Sequence, residues 1–291
     1  MKFCIYGKRF EPDYASHVEQ LFQTLIRRGV KISVYDQFYN FLKTNFSVPE
    51  NIETYSSFEE VKDASFMLSV GGDGTVLDTV SIIRDSKVPI LGVNTGRLGF
   101  LSHVDVEQIE EAVEALINGE FTLDKRSLIE VRSEQQSFGE FPFALNDVTL
   151  INNERSSMIT VHAYVNNQYM STYWSDGLIV ATPTGSTAYS LSCGGPIVTP
   201  DSNNIIITPI APHNLNVRPL ILSNTNKVSI RPEGRSSEFQ LTVDSKTYIV
   251  HPETIIDLTR ASFEINLVRL ENQNFFNTIR KKMGWGMDKR N

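Results

Sequence analysis

The first third of the chain alternates short apolar runs with segments of helical period. Phe3 to Tyr6 has the length of a strand. Asp13 to Arg28 sets Val18, Leu21, Phe22, Leu25 and Ile26 on one helical face, and Gly29 is placed to stop it. Val30 to Tyr35 reads as the next strand, Phe58 to Asp63 as a short helix, and Ala64 to Val70 as a strand buried on both faces. Val76 to Arg84 reads as a helix and Val88 to Val93 as a strand. Val106 to Asn118 reads as a helix with Ile109, Val113, Leu116 and Ile117 inward. This order predicts an α/β domain: a mainly parallel, Rossmann-like sheet with helices on both faces.

From about Leu123 the period changes to two. Ser127 to Ser133, Phe143 to Ile151, Ser157 to Val165, Tyr169 to Trp174 and Leu178 to Thr182 read as strands, with Asn166-Asn167 as a tight turn. Asn204 to Pro209, Lys227 to Arg231, Gln240 to Val243, Lys246 to Val250, Thr254 to Thr259 and Ser262 to Leu270 continue the pattern, and only Ala188 to Leu191 suggests a helical turn. The expected organisation is an α/β domain over 1–124 and an all-β domain, a β-sandwich, over 125–270. Residues 271–291, with a helix from Phe275 to Met283, are expected to pack back on the first domain.

Composition narrows the function classes. The 291 residues are 41% apolar, ordinary for a globular chain and enough for two cores. No apolar run has membrane-spanning length, and Met1 to Phe10 lacks the long apolar stretch of a secretory signal, so no membrane role and a cytoplasmic location are expected. A net charge of -7 argues against non-specific nucleic-acid binding. Arg280, Lys281, Lys282, Lys289 and Arg290 read as a solvated basic end, with a contribution to a local basic pocket for a nucleotide as the alternative. The two cysteines, Cys4 and Cys193, form neither a disulfide framework nor a zinc pattern, and the five histidines have no metal-ligand spacing. No metal held by the protein alone is expected. A divalent ion, magnesium, is expected to arrive with a triphosphate, because it favours phosphate oxygens and water.

The candidate chemistry starts at Val70-Gly71-Gly72-Asp73-Gly74-Thr75, between a buried strand and a helix. Gly71, Gly72 and Gly74 let backbone approach a ligand closely, and N–H groups at a helix start favour phosphate oxygens, with Thr75 adding a hydroxyl. The loop lacks the Walker lysine and the G-x-G-x-x-G spacing. An aspartate inside a phosphate loop suggests phosphoryl transfer to an alcohol, with Asp73 as proton acceptor or orienter. The helix start keeps that carboxylate ionised and a weak base, so positioning should supply more of the rate than proton abstraction.

Further segments carry a resemblance. Asn94-Thr95-Gly96-Arg97-Leu98-Gly99-Phe100-Leu101, the pair Asn146-Asp147, and the run from Ser175-Asp176-Gly177 through Thr184-Gly185-Ser186-Thr187-Ala188-Tyr189-Ser190-Leu191-Ser192 to Pro196 resemble the NAD kinase family. The resemblance spans about Ala64 to Pro219 and is weak before that. It implies transfer of the terminal phosphoryl group of ATP to the 2′-hydroxyl of the adenosine ribose of NAD, giving NADP and ADP. It implies that Asp73, Gly74, Phe100, Asn146, Asp147, Trp174, Asp176, Thr187, Ala188, Tyr189, Ser190, Leu191, Ser192 and Ala211 contact NAD. It also implies a homodimer or homotetramer.

Two positions depart from the family pattern. Asp78 places a carboxylate near the donor phosphates, and Asp244-Ser245-Lys246 stands where many members have Asp-Gly-Gln. Two competing readings, a lipid kinase and a dinucleotide sensor without turnover, share the loop. The first leaves Thr184 to Ser192 unexplained, and the second leaves an intact Asp73 unexplained.

Overall fold

The computed structural model describes residues 1–46, 48–49, 52–96, 99–152, 158–271 and 273–286. The expectations for Arg97, Leu98, Ser157, Lys289 and Arg290 lie outside the described residues. The chain divides into two compact units, Met1–Lys125 with Ile265–Asn291, and Arg126–Glu264. The chain re-enters unit 1 at Ile265, earlier than the expected 271. The two strands expected over Thr254 to Leu270 are one continuous strand, Ile256–Leu270. Ala261 buries within it, while Arg260 points outward to Glu264 at 2.7 Å, so the polar interruption is a solvated face and not a turn.

Unit 1 is built on parallel strands β1 (Lys2–Gly7), β2 (Lys31–Tyr35), β3 (Glu53–Tyr55), β4 (Phe66–Val70) and β5 (Ile90–Asn94) in the order β3-β2-β1-β4-β5. The end of Ile256–Leu270 adds beside β5 through Leu267 and Ile90. Helices α1 (Ala15–Arg27), α2 (Asp36–Asn45), α3 (Asp73–Ile83) and α4 (Ile109–Asn118) flank the sheet. α1 buries Val18, Leu21, Phe22 and Leu25 against an apolar core that also takes in Phe3, Leu68, Val93 and Val113. α2 and β3 were not expected. α2 is rich in aromatic and asparagine residues, which are weak helix formers, and it is held by burying Phe38 and Leu42 one turn apart. β3 is only three residues long and is tied down by the Tyr55 hydroxyl, which donates to the Ile5 carbonyl at 3.1 Å. The chain leaves β1 toward β2 on one side and later fills β4 on the other. The carboxyl ends of β1 and β4 therefore form the switch point where open α/β sheets bind ligands. Burial pushes the Cys4 thiol up to about 11, in keeping with a core residue.

Unit 2 contains two antiparallel sheets. One has the spatial order Leu220–Ser223, Asn204–Ile210, Gly177–Ala181, Asp147–Asn152, Phe239–Val243, Lys246–Val250. The other pairs Gln168–Ser175, Ile159–Val165, Val228–Glu233 and the first part of Ile256–Leu270. Alternate residues from both, such as Val148, Leu150, Leu178, Val180, Val161, Ala163, Ile230 and Leu258, share one core, which is the sandwich expected from period two. The outer face of the six-stranded sheet is not solvated: Ile179, Ala181 and Ile206 pack with Val198. No helix among the described residues is long and apolar enough to cross a membrane.

Candidate active site

In unit 1, β4 delivers the chain to Gly71, and α3 starts at Asp73 itself, not at Val76 as the apolar periodicity suggested. Gly71 has φ +151°, and a Cβ there would stand 2.3 Å from the Thr75 hydroxyl oxygen. Gly72 and Gly74 face open space. The Asp73 carboxylate is anchored by the next strand's loop. Its Oδ2 accepts from the Phe100 N–H at 2.8 Å; its Oδ1 accepts from the Leu101 N–H at 2.9 Å, the Ser102 N–H at 3.1 Å and the Ser102 hydroxyl at 3.2 Å. Gly99 is required by this approach, since a Cβ there would lie 1.8 Å from Oδ1. With only one of these bonds, Oδ2 keeps acceptor capacity for a hydroxyl. Phe100 is half-buried and not core; its ring meets Phe275, and the Lys282 ammonium lies 4.7 Å from its centroid. Phe275 and Lys282 belong to the helix Phe275–Met283, so the expected solvated end partly covers a candidate site residue. Asp78 does not stand as a bare charge beside the loop, because Lys8 forms an ion pair with it.

In unit 2 the expected strand over Phe143 to Ile151 is broken. It forms Phe143–Ala144 and Asp147–Asn152, with a bend at Leu145 and Asn146. The cause is Asp244, in a hairpin turn with φ +50°. Its carboxylate accepts from the N–H groups of Leu145 at 2.7 Å, Asn146 at 2.9 Å and Asp147 at 3.1 Å. The Asn146 carbonyl accepts from the Thr182 N–H at 2.9 Å, and Gly185 lies so close that a Cβ would be 2.1 Å from that oxygen. Asp147 is half-buried, and burial raises its carboxyl to about 6, against the lowering effect of the Thr149 hydroxyl bonded to it at 2.9 Å. Burial raises the Tyr189 phenol, with Cys193, Asp147 and Asp176 adding to the effect, so these groups share one electrostatic environment. Asp176, Tyr189 and Ser192 are exposed, and Thr187, Ala188 and Leu191 are half-buried. Trp174 is exposed and lies against His213, and Ala211 is exposed with φ +44°. Ser190 is fully buried and its hydroxyl pairs with that of Thr208 at 2.8 Å, so its side chain supports the turn from inside.

Sequence reasoning missed three residues. Asp244 was noted only as a departure. Arg126 is buried, and its guanidinium donates to the Thr184 hydroxyl at 3.2 Å. A lone arginine where the period changes to two was its signal. Lys8 directly follows β1 and had no motif to mark it.

Two family patterns match: residues 4–121 match the ATP-NAD kinase N-terminal domain and 145–270 the ATP-NAD kinase C-terminal domain. The chain belongs to the ATP-NAD kinase family. An NAD kinase from Cytophaga hutchinsonii is 41% identical over 292 residues, covering 100% of both chains. One from Bacteroides fragilis is 40% identical over 291 residues, again covering 100% of both. Among solved structures, yeast NADH kinase complexed with NADH superposes with a TM-score of 0.88 at 25% identity, covering 99% of this chain and 89% of that one. An NAD kinase from Archaeoglobus fulgidus in complex with ATP gives 0.75 at 25% identity, covering 96% and 99%. For a member of this family the two loops have separate origins: the Asp73 loop lies in the N-terminal match and the Asn146 and Thr184 turns lie in the C-terminal match.

Proposed function

We propose that Asp73 directs the 2′-hydroxyl of the adenosine ribose of NAD toward the terminal phosphorus of ATP, accepting its proton as the new bond forms and the bond to the bridging oxygen breaks, so that ADP leaves. The activity itself, ATP-dependent phosphorylation of NAD to NADP, follows from family membership. The observation that supports the role of Asp73 is the anchored carboxylate with acceptor capacity left on Oδ2, at the start of a helix whose glycines stand open. Held by backbone N–H groups, the carboxylate needs no reorganisation when the hydroxyl arrives. N–H groups at the α3 start, with Gly72 and Gly74 beside them, favour the donor phosphates. Magnesium, bound with the triphosphate as part of the substrate, supplies charge neutralisation.

On the family pattern, NAD is held by Gly74, Phe100, Asn146, Asp147, Trp174, Asp176, Thr187, Ala188, Tyr189, Ser190, Leu191, Ser192 and Ala211. In unit 2 the support is the shared environment of Asp147, Asp176 and Tyr189: carboxylates and a phenol suit ribose hydroxyls, and the exposed ring suits stacking. The chain is read as a cytoplasmic homo-oligomer, a dimer or tetramer. Leu220 and Ile221, exposed on an edge strand, support association. The test is NADP formation from NAD and magnesium-ATP, followed with a coupled dehydrogenase, on the natural chain and on Asp73→Asn. A loss of about 10²- to 10⁴-fold in kcat is expected. Near-normal kcat in a folded Asp73→Asn removes the role, and no NADP from the natural chain removes the activity.

A further inference from the structure

One buried charge in unit 2 has no part in the NAD contacts named above. Arg126 lies on the strand Phe121–Arg132 and is 3% exposed. Arginine is seldom buried to this degree. Replacing a buried ionic group by a packed apolar one is often neutral or stabilising, so its burial is a poor argument for stability alone. The guanidinium reaches Thr184: Nη1 donates to the Thr184 hydroxyl at 3.2 Å, and Thr184 is itself buried.

Thr184 opens the short turn Thr184–Thr187. The neighbouring anchors of this segment are neutral. The Thr182 hydroxyl donates to the Leu145 carbonyl and accepts from the Gly185 N–H at 3.1 Å. The Ser186 hydroxyl donates to the Val198 carbonyl and accepts from the Val198 N–H, both at 3.1 Å. At Thr184 the anchor is a cation, and a charge-assisted bond is roughly twice as strong as a neutral one. Its planar fork fixes direction as well as distance.

Two paths lead outward from Thr184. Its carbonyl accepts from the Thr187 hydroxyl at 3.3 Å, and Thr187 is half-buried. The next residue, Gly185, has no slack against Asn146, whose carbonyl oxygen would stand 2.1 Å from an added Cβ. A shift at Thr184 therefore moves Thr187 or presses on Asn146, and both are assigned above to NAD. Resting on that assignment, we propose that Arg126 is a positioning residue for NAD, acting through Thr184 on the turn that holds the dinucleotide.

The test is titration of the full chain with NAD alone, together with steady-state NADP formation and thermal melting. Arg126→Met should weaken NAD binding and raise the KM for NAD by about tenfold, the worth of one charged hydrogen bond, with the KM for ATP within about twofold. Arg126→Lys keeps the charge and loses the fork. It should show the same split with a smaller factor, and it stands in where Arg126→Met does not fold. Thr184→Val removes the other partner. The double variant, Arg126→Met with Thr184→Val, should bind NAD no worse than the weaker single variant, because the one interaction is lost only once. It should also melt above Arg126→Met, since no hydroxyl is left orphaned. Arg132→Met, at the exposed end of the same strand, should change neither affinity nor KM. Unchanged NAD affinity in Arg126→Met, or in Arg126→Lys where it stands in, overturns the proposal. So do fold-changes that multiply in the double variant, or KM values for NAD and ATP that rise together as Tm falls. A natural chain that binds no NAD overturns the assignment of the turn and this proposal with it. One that binds NAD with the expected pattern yet forms no NADP upholds Arg126 and sinks the kinase reading instead.

Discussion

Replacing Asp244 by asparagine tests whether the Leu145-Asn146 bend is made by that carboxylate. The two oxygens of Asp244 divide the load: Oδ2 takes the Leu145 N–H, and Oδ1 takes those of Asn146 and Asp147. Asparagine has one acceptor oxygen. Its best orientation keeps the Oδ1 pair and turns an amide nitrogen, itself a donor, against the Leu145 N–H. Leu145 is buried, so that N–H has no water to replace the lost partner. One orphaned buried N–H costs about 1–3 kcal/mol, which lowers Tm by roughly 2–10 °C for a chain of this size. The bend should relax toward continuous strand, moving Asn146 and Asp147 together. Misplacement by about 1 Å can cost a hundredfold in rate, so a KM for NAD raised about tenfold is a moderate expectation, with the KM for ATP within about twofold. Thermal melting and the NADP assay at varied NAD and ATP read both effects. A variant that melts like the natural chain and keeps its KM for NAD refutes the reasoning.

Gly99→Ala puts a methyl group where the Asp73 carboxylate sits, 1.8 Å from Oδ1. It should cost about 1–3 kcal/mol in stability and a larger factor in kcat than in either KM, checked by melting and steady-state assay. Asp147 has a carboxyl raised to about 6 and Asp244 one raised to about 7, so the folded chain holds protons that the unfolded chain has already released. Their contribution is full below about pH 4 and is lost as pH rises through about 6 and 7. Asp147→Asn should therefore gain Tm relative to the natural chain at pH 8 compared with pH 4, and an equal difference at both pH values would dismiss the shift.

The parts of the fold legible in the sequence were those with a strong local period. The helix over Phe275–Met283 has the expected bounds, and the Asn166-Asn167 turn has φ of +49° and +66°, as a two-residue hairpin demands. The strand Leu220–Ser223 was missed because a short, largely exposed edge strand has no inward alternation. α2 was missed because its residues favour a helix only once Phe38 and Leu42 are buried. The break at Leu145 and Asn146 could not be seen locally, since the residue that causes it is Asp244, nearly a hundred positions away, the Leu145 partner at a separation of 99. The same holds for the candidate site. The letters of the Asp73 loop and the Thr184 turn were readable, but the reason for Gly99 is the side chain of Asp73, and the reason for Gly185 is the backbone of Asn146.

Both units use one device, and comparing the two instances separates anchoring from chemistry. In each, an aspartate carboxylate accepts three successive backbone N–H groups of a distant loop: Phe100 to Ser102 for Asp73, and Leu145 to Asp147 for Asp244. Charge-assisted bonds of this kind are roughly twice as strong as neutral ones, which suits a loop that must hold its shape before substrate arrives. If anchoring were the whole role of Asp73, its surroundings should match those of Asp244. They do not. Asp244 occupies a hairpin turn between two strands. Asp73 opens a helix and is flanked by Gly72 and Gly74, where nothing would meet an added Cβ, so phosphate-favouring N–H groups and open space adjoin the same carboxylate. The anchor is common to both aspartates; the helix start and the open space beside it belong to Asp73.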